Sequence, residues 1–261
     1  VQFTEGEERL MLKRIVVVGV NKPLYGVLTK KAAGDNMEVV QVAKDEALPA
    51  GTATVVGGAE DADAIGAFAD SLGKRQEELL ELIAHAIDSR EDLAQGTSLR
   101  VKNHATRFAQ ALGLSAADQL TLERGALLRD IGKLKIRNEV LLKYTLLTHD
   151  EWDTLQRHTH IGADLVKRTE GLRDIEDIVR RHHECFDGTG YPDGLEGDAI
   201  PMLAQAMRIL DVFCAMTSAR HYRQGTFSVE EGLDHVKSES GKHFHPELAK
   251  VFLDKNVGDT D

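Results

Sequence analysis

The residues with the clearest chemical potential lie in the run HHECFDGTGYP, from His182 to Pro192. It joins two adjacent histidines and an acidic pair, Glu184 and Asp187, to a loop rich in glycine. Neutral imidazole is a good ligand for Fe, Mn, Zn and Ni ions. We therefore interpret His182 and His183 as metal ligands, with two hydrogen-bonded core histidines as the alternative.

The helix that leads into this run should point both histidines inward. Ile175, Ile178 and Val179 define an apolar stripe, and His182 and His183 continue it seven and eight residues after Ile175. Residues at this spacing share one helix face. The imidazoles are expected to face the protein interior.

Two aspartates stand in otherwise apolar runs, Asp130 in GALLRDIGKL and Asp211 in AMRILDVFCAM. A buried carboxylate without a partner is strongly unfavourable, so each needs a metal, a cation or strong donors. Arg129 and Arg208 are the nearby cations and offer a purely structural explanation. The alternative is that both aspartates are metal ligands, which is the more specific hypothesis.

A third kind of candidate ligand is His158. It lies on the same helical face as Ile161 and Leu165, so it is predicted to point inward, whereas His160 falls on the opposite side and should be solvated. Thr148 and Glu151 have the spacing of a capping box that opens the helix carrying His158.

The segment from Asp187 to Gly194 cannot be helical, because glycines and Pro192 interrupt it. Glycines also let backbone N–H groups approach a ligand closely, although an ordinary surface turn has the same composition. Tyr191 in this loop could stack on a base. Lys133 follows Asp130 by three residues and is a candidate phosphate ligand.

A small basic group follows Asp211, where the run SARHYR supplies Arg220 and Arg223 three residues apart. Together with Lys133 these arginines would suit phosphates. The cluster is weak support when taken alone.

Helical patterns position all of these residues, from Asp61 to about Leu253. One apolar stripe ends at Gly113, and Ser115 with Asp118 has the spacing of a cap for the next helix. That stripe consists of Val101, Ala105, Phe108, Ala109 and Leu112. We predict one all-helical domain over residues 61–261.

The first helix of this domain carries its own stripe, formed by Leu79, Leu82, Ile83, Ala86 and Ile87. It fits a connecting helix that dimerises and, equally well, an ordinary first helix of a bundle. Both interpretations stay open, and a homodimer is among the expected assemblies.

Residues 1–60 differ in sequence pattern from the helical remainder of the chain and predict a small α/β module. Three short β-branched runs read as strands, at 14–20, 37–43 and 53–58, and residues 24–32 suggest a short helix between the first two. The pattern resembles the opening of a receiver domain, but the acidic pair and the phosphoacceptor aspartate of a receiver are missing.

Composition limits the remaining functions. A net charge of −11 disfavours passive binding to DNA, RNA or anionic membrane. No apolar run approaches the ~18 residues of a membrane span, and no signal peptide is recognised. Cys185 and Cys214 have no paired spacing, which indicates a reduced, cytoplasmic protein. Because the chain starts at Val1, we expect a piece of a longer protein.

Taken in order, the motifs RDIGK, His158 with Gly162, HHE, DGTGYP, ILDVFCAMTSARHYR and GKHFHPEL closely resemble the HD-GYP subclass of the HD-domain superfamily. The resemblance covers roughly Leu80 to Pro246. It implies a mainly α fold, an HD-type helical bundle, here preceded by the small α/β module. It also implies a centre of two or three metal ions that hydrolyses cyclic di-GMP, a bacterial second messenger.

The resemblance assigns roles to residues of this chain. It implies metal ligands at Asp130, His158, His182, His183 and Asp211. It implies a catalytic role for Asp130 with Lys133, and contacts to the nucleotide from Lys133, Tyr191, Arg220 and Arg223.

Two positions depart from the family pattern. Thr97, in GTSLRV, stands where the family has an early histidine, and Arg129 replaces the histidine of the His-Asp pair. His104 lies two helical turns beyond Thr97, too far to substitute. These losses fall on one metal, so we predict one divalent ion at most (Fe, Mn, Zn or Ni), with the Arg129 guanidinium in place of the other.

The sequence thus predicts a divergent HD-GYP protein of bacterial cyclic di-GMP signalling, which binds the nucleotide or a partner protein and hydrolyses weakly or not at all. One alternative is an active metal-dependent phosphodiesterase that uses the remaining ligands. Another is a scaffold for a protein such as a diguanylate cyclase, without nucleotide binding.

Overall fold

The structure is a computed structural model of the chain. It describes residues 76–90, 96–218 and 227–258 in full, and the backbone of residues 14–18, 38–42, 55–57 and 62–75. Two compact units divide the chain, Val1–Gln76 and Glu77–Asp261. The predicted domain boundary at residue 60 lies close to the start of the long helix at Ala62 and stays a prediction.

The first unit contains a small parallel sheet. Strands β1 (Arg14–Val18), β2 (Glu38–Val42) and β3 (Val55–Gly57) are arranged in the order β2-β1-β3. Arg14 pairs with Glu38, and Val16 pairs with Val55. All three predicted strands are confirmed. The helix predicted for residues 24–32 lies outside the described residues.

From Ala62 onward, across the end of the first unit and the whole described part of the second, the chain is helical, as the sequence predicts. The described part of the chain has α1 (Ala62–Arg90), α2 (Thr97–Leu112), α3 (Ala116–Leu128), α4 (Asn138–Leu141), α5 (His149–Gln156), α6 (His158–Arg168), α7 (Glu176–Arg181), α8 (Met202–Thr217), α9 (Val229–Ser238) and α10 (Pro246–Asp254). Short 3-10 helices cover Ile131–Lys135, Arg173–Ile175 and Gly197–Ala199. Among these residues, no helix combines the length and apolar character needed to cross a membrane.

Helices α2 and α3 form a pair whose ends follow the sequence signals. Gly113 closes α2 with a left-handed φ of 66°, and the Ser115 hydroxyl accepts a hydrogen bond from the Asp118 amide at the start of α3. Val101, Ala105 and Phe108 are fully buried. The predicted stripe is therefore the core face of α2.

Two apolar clusters hold the domain together. The larger one joins α2 and α3 to α8, α9 and α10 around Phe108, Phe213 and Phe252. The smaller one joins α1, α3, α6 and α7 and contains Leu80, Ala84, Leu127, Leu128, Val166, Ile175 and Val179. Its members come from the helices that lead to Asp130, His158 and His182, so it fixes their relative positions.

Helix α1 packs on the bundle through a different face from the predicted stripe. Leu80, Ala84 and Ile87 are buried, whereas Leu79 and Leu82 are 60% and 64% exposed. The two stripes differ because successive helical residues are offset by about 100° around the axis. Ile87 alone of the predicted stripe is buried in the domain, and the homodimer stays a prediction.

The last turn of α1 is bonded to two separate segments. The Asp88 carboxylate accepts hydrogen bonds from the Ser98 amide (2.9 Å) and hydroxyl (2.7 Å) at the start of α2. The Arg90 guanidinium donates to the carbonyl oxygens of Lys133 and Ile136 and to Asn138 Oδ1. Helix α1 thereby fixes both α2 and the 3-10 segment that follows Asp130.

The predicted helix carrying His158 is in fact two helices. The capping box of Thr148 and Glu151 opens α5 as expected, but α5 ends at Gln156, and His158 is the first residue of α6. Arg157 lies between them. The pattern missed this break because no glycine or proline marks it. His160 is exposed, as predicted.

Candidate metal centre

Four of the predicted ligands meet at one place. Asp130 follows α3, His158 opens α6, and His182 and His183 follow α7. Each offers one ligand atom, and these atoms all lie within 4.8 Å of one another. The distances from Asp130 Oδ1 to the Nε2 atoms of His158 and His182 are 3.5 and 3.8 Å. A small cation fits among donors at this spacing.

Close backbone contact makes this convergence geometrically specific. A Cβ atom placed on Gly132 would lie 1.9 Å from the carbonyl oxygen of His158 and 2.6 Å from the amide of Gly162. Only glycine allows the 3-10 segment to touch α6 here. The glycines of RDIGK and of the His158 helix therefore bring Asp130 to His158.

Two of the histidine rings, those of His158 and His182, are oriented as metal ligands require. Nδ1 of His158 lies 2.7 Å from the carbonyl oxygen of Leu155, and Nδ1 of His182 lies 3.0 Å from that of Val179. A carbonyl only accepts, so each Nδ1 must carry the hydrogen and each Nε2 keeps a lone pair. Both Nε2 atoms are buried without a hydrogen-bond partner among the described residues. Such orphaned acceptors fit the ligand role for a cation.

The protonation states agree with this arrangement. Burial lowers the pKa of His158 to about 4 and lowers those of His182 and His183 as well. Burial alone would raise the pKa of Asp130, but Lys133 and Arg129 outweigh it and hold that pKa well below the usual range. The cluster thus presents neutral imidazoles and an ionised carboxylate, the forms that bind metal.

Arg129 lies beside this cluster and is almost fully buried, with 4% of its surface exposed. Its Nε donates to Asp211 Oδ1 at 2.7 Å, and its Nη2 lies 3.3 Å from Asp130 Oδ2. Its Nη1 donates to the Ala126 carbonyl oxygen at 2.7 Å. Although burial opposes the charge, Asp130 and Asp211 raise the pKa of Arg129, so the guanidinium stays charged between two carboxylates.

Asp211 accepts a hydrogen bond from Arg129 and is not among the four residues of the cluster. The physical reason is charge: the guanidinium satisfies the carboxylate that a metal would otherwise neutralise. The assignment of Asp211 as a metal ligand stays a prediction.

Thr97, the other departure from the family pattern, and His104 both lie in the α2 helix. Thr97 is the first residue of α2 and is buried. His104 lies within the core, with Nδ1 2.9 Å from the Val257 carbonyl oxygen and its ring edge-on to Phe213 at 5.6 Å. It does not join the cluster, as its spacing from Thr97 predicts.

The glycine-rich loop folds back onto the double histidine. The Tyr191 amide donates to the His183 carbonyl oxygen at 3.3 Å, and the Tyr191 ring stacks on the His183 ring at 4.7 Å. At Gly190 an added Cβ would lie 2.2 Å from the Cys185 amide nitrogen. Burial raises the pKa of Tyr191, so its hydroxyl stays protonated. Tyr191 thus holds His183 in place.

Glu184 has a structural role that the sequence did not reveal. Its buried carboxylate accepts hydrogen bonds from the amides of Asp193 (2.7 Å) and Leu195 (3.1 Å). Asp187 instead accepts from the Thr189 amide and hydroxyl. Neither acid belongs to the cluster. Both carboxylates instead accept hydrogen bonds that stabilise the loop.

We expect Glu184→Gln to lower the free energy of unfolding by about 2 kcal/mol, because a neutral amide turns an NH₂ group toward one of the two donors. Urea unfolding measures the loss, and hydrogen exchange at Asp193 and Leu195 should accelerate. Glu196→Gln, an exposed change on the same loop, is the control and should cost under about 0.5 kcal/mol. Equal stabilities of the two variants would contradict the role of Glu184.

Positive charge approaches the cluster from two sides. Lys133 Nζ lies 3.0 Å from Asp130 Oδ1. Arg208, which the sequence offered as a counter-ion for Asp211, instead donates to Cys185 Sγ at 3.5 Å, and its Nε is buried without a hydrogen-bond partner in the described part of the chain. Its charge acts on both His183 and Tyr191. Arg220 and Arg223 lie outside the described residues.

Comparison with known proteins places these features in context. A family model described as HD domain matches residues 81–248. The cyclic di-GMP phosphodiesterase response regulator RpfG of Xanthomonas campestris is 37% identical over 69% of this chain and 48% of its own length. A cyclic di-GMP phosphodiesterase of Thermotoga maritima is 33% identical over 67% of this chain and 48% of its own. The chain thus spans about half the length of these relatives.

A solved structure supports the fold. The crystal structure of a cyclic GMP-AMP specific phosphodiesterase of Vibrio cholerae matches with a TM-score of 0.54 and 21% identity, over 70% of this chain and 48% of that one. The match confirms the helical architecture predicted for the second unit.

Proposed function

The chain belongs to the HD domain family, and on this basis we propose that it binds one divalent metal ion through Asp130, His158, His182 and His183. The convergence of these four ligand atoms within 4.8 Å carries the proposal. A divalent ion held there would polarise a phosphoryl oxygen and lower the pKa of water. The residues fit Fe, Mn, Zn or Ni, since imidazole suits Fe, Zn and Ni and carboxylate suits Mn.

We further propose that the ligand is a cyclic dinucleotide, with cyclic di-GMP first. The relatives above are named for cyclic di-GMP, and this chain keeps the DGTGYP loop against His183. Lys133 beside Asp130, and Arg208, which donates to Cys185 Sγ, supply charge for phosphates. The proposal places this activity in bacterial signalling in the cytoplasm, with Arg220 and Arg223 as additional phosphate ligands.

Weak or absent hydrolysis is the second part of this proposal. Arg129 lies between Asp130 and Asp211 and satisfies both carboxylates. A second cation at that place would face a fixed positive charge at short range in a medium of low dielectric. A guanidinium also cannot activate water as a metal ion does. The protein then works as a cyclic di-GMP sensor or interaction module.

The deciding experiment is elemental analysis of protein purified without chelator, combined with calorimetry and a phosphodiesterase assay with added Mn or Fe. We expect one ion or fewer per chain, binding of cyclic di-GMP and little turnover. Two or more ions with vigorous hydrolysis would show the active phosphodiesterase instead. Metal without any nucleotide binding would favour the scaffold for a diguanylate cyclase or another partner.

Restoring the missing histidines should increase the metal content. We expect Arg129→His combined with Thr97→His to raise it above the wild-type value, because Asp130 and Asp211 lose their guanidinium and gain imidazole neighbours. Arg129→Lys with Thr97→His is the matched control, since it keeps the positive charge and should gain nothing. Equal metal content in the two double variants would count against Arg129 as the substitute for an ion.

A further inference from the structure

One aromatic side chain near the cluster has no place in the function described so far. Trp152 is the single tryptophan of the chain. It lies on α5, a helix without any buried residue, and is 44% exposed. Leaving so large an apolar side chain in water is unfavourable, so a contact with a ligand would be stabilising.

The position of Trp152 links it to the metal ligands through ring contacts. Its ring meets the Tyr191 ring at 6.2 Å and an angle of 73°. Tyr191 in turn stacks on His183 at 4.7 Å and 25°. The three rings form a continuous series from a ligand in the cluster to the protein surface.

A cyclic dinucleotide has a matching geometry. Its phosphates carry the charge that a metal and Lys133 would attract, and each purine lies one sugar away from its phosphate. Bases that are held without sequence-reading hydrogen bonds are commonly held by stacking on aromatic side chains. The half-exposed indole of Trp152, separated from His183 by the Tyr191 ring, offers a purine such a stacking surface.

From this juxtaposition we propose that Trp152 is the stacking surface for one purine base of a cyclic dinucleotide whose phosphate lies at Asp130, His158, His182 and His183. The inference rests on the proposed function, since it takes the same nucleotide at the same cluster. It adds a base-binding residue outside the motifs that the sequence resemblance supplied.

The single tryptophan makes the proposal directly measurable. Titration of the metal-loaded protein with cyclic di-GMP should change its intrinsic tryptophan emission saturably, with the same affinity that calorimetry gives. Inorganic phosphate, which has no base, should leave the emission unchanged. An equal emission change with phosphate would show a movement of the loop and would overturn the stacking proposal.

Substitutions of Trp152 provide the second test of the stacking proposal. Trp152→Ala should weaken cyclic di-GMP binding by about tenfold to a hundredfold, the range of base–aromatic stacking, while metal content stays at the wild-type value. Trp152→Phe should recover most of the affinity. Leu146→Ala is the matched control, because Leu146 is 95% exposed just ahead of α5 and its removal should change neither affinity nor emission.

The outcomes separate this inference from the proposed function. Nucleotide binding with unchanged emission and unchanged affinity of Trp152→Ala would refute the base site and leave the proposed function standing. Absence of any cyclic dinucleotide binding by the wild-type protein would refute both. If Trp152→Ala fails to fold, the wild-type titration and Trp152→Phe still decide the question.

Discussion

Replacing His182 by alanine should reduce the bound metal to background, with affinity at least about a hundredfold weaker. Loss of a residue that merely orients a ligand costs ten- to a hundredfold, and His182 would supply the ligand atom itself. Its side chain is fully buried. Its Nε2 faces Asp130 Oδ1 at 3.8 Å, so no water-exposed group can replace it without rearrangement.

The measurement is metal content after equilibration with Mn or Zn at fixed concentration. His182→Gln should give the same loss while filling most of the volume, which separates lost ligation from a lost core. His149→Ala is the control, because His149 has a side chain 87% exposed and should keep full occupancy. Wild-type metal content in both His182 variants would rule out the four-residue site.

Replacing Arg129 by methionine should lower the free energy of unfolding by about 3 to 5 kcal/mol in the metal-free protein. The substitution leaves the ionised carboxylates of Asp130 and Asp211 buried with less compensation, and removing one partner of a buried pair has this cost. The hydrogen bond to the Ala126 carbonyl oxygen is lost as well. Methionine keeps much of the volume, so the loss reports on charge.

Urea unfolding of three proteins tests this prediction. Adding Asp211→Asn to Arg129→Met should recover a substantial part of the loss, because one uncompensated charge disappears. Arg124→Met on the same helix removes a more accessible pair with Glu77 and should cost about 1 kcal/mol or less. Equal losses for Arg124→Met and Arg129→Met would mean that Arg129 is not a buried counter-ion.

Much of the cluster could be predicted because helical periodicity fixes direction. The stripe of Ile175, Ile178 and Val179 placed His182 correctly in the interior. Buried carboxylates must find partners, which singled out Asp130 and Asp211. Local caps such as that of Thr148 and Glu151 were readable for the same reason, since their bonds join residues three apart.

What the sequence did not reveal depends on contacts between distant residues. Spacing alone left Arg129 and Arg208 open as partners of Asp211; the partner is Arg129, 82 residues away, as expected if its guanidinium takes the place of an ion. Glu184 follows the double histidine directly, but two loop amides turn it away from the cluster. The partners of these side chains are determined by residues that are close in the fold and distant in the sequence.

The stripe on α1 shows why periodicity alone left two interpretations open. Periodicity identified an apolar face at Leu79 and Leu82. When a helix has two apolar faces, however, periodicity does not predict which of them packs on its own domain. Leu80 and Ala84 are buried in the domain, so the neighbouring helices determine which face of α1 packs against them. An assembly through the exposed face stays a prediction.

The bonds of Asp88 and Arg90 give α1 a mechanical property. Asp88 is bonded to Ser98, next to Thr97. Arg90 is bonded to the carbonyl oxygens of Lys133 and Ile136, in and just after the 3-10 segment that follows Asp130. A torsion of α1 about its long axis would have to break these bonds or carry both segments with it. A rotation of the last turn of α1 would therefore reach the segments beside both sequence departures, Thr97 and Arg129, together.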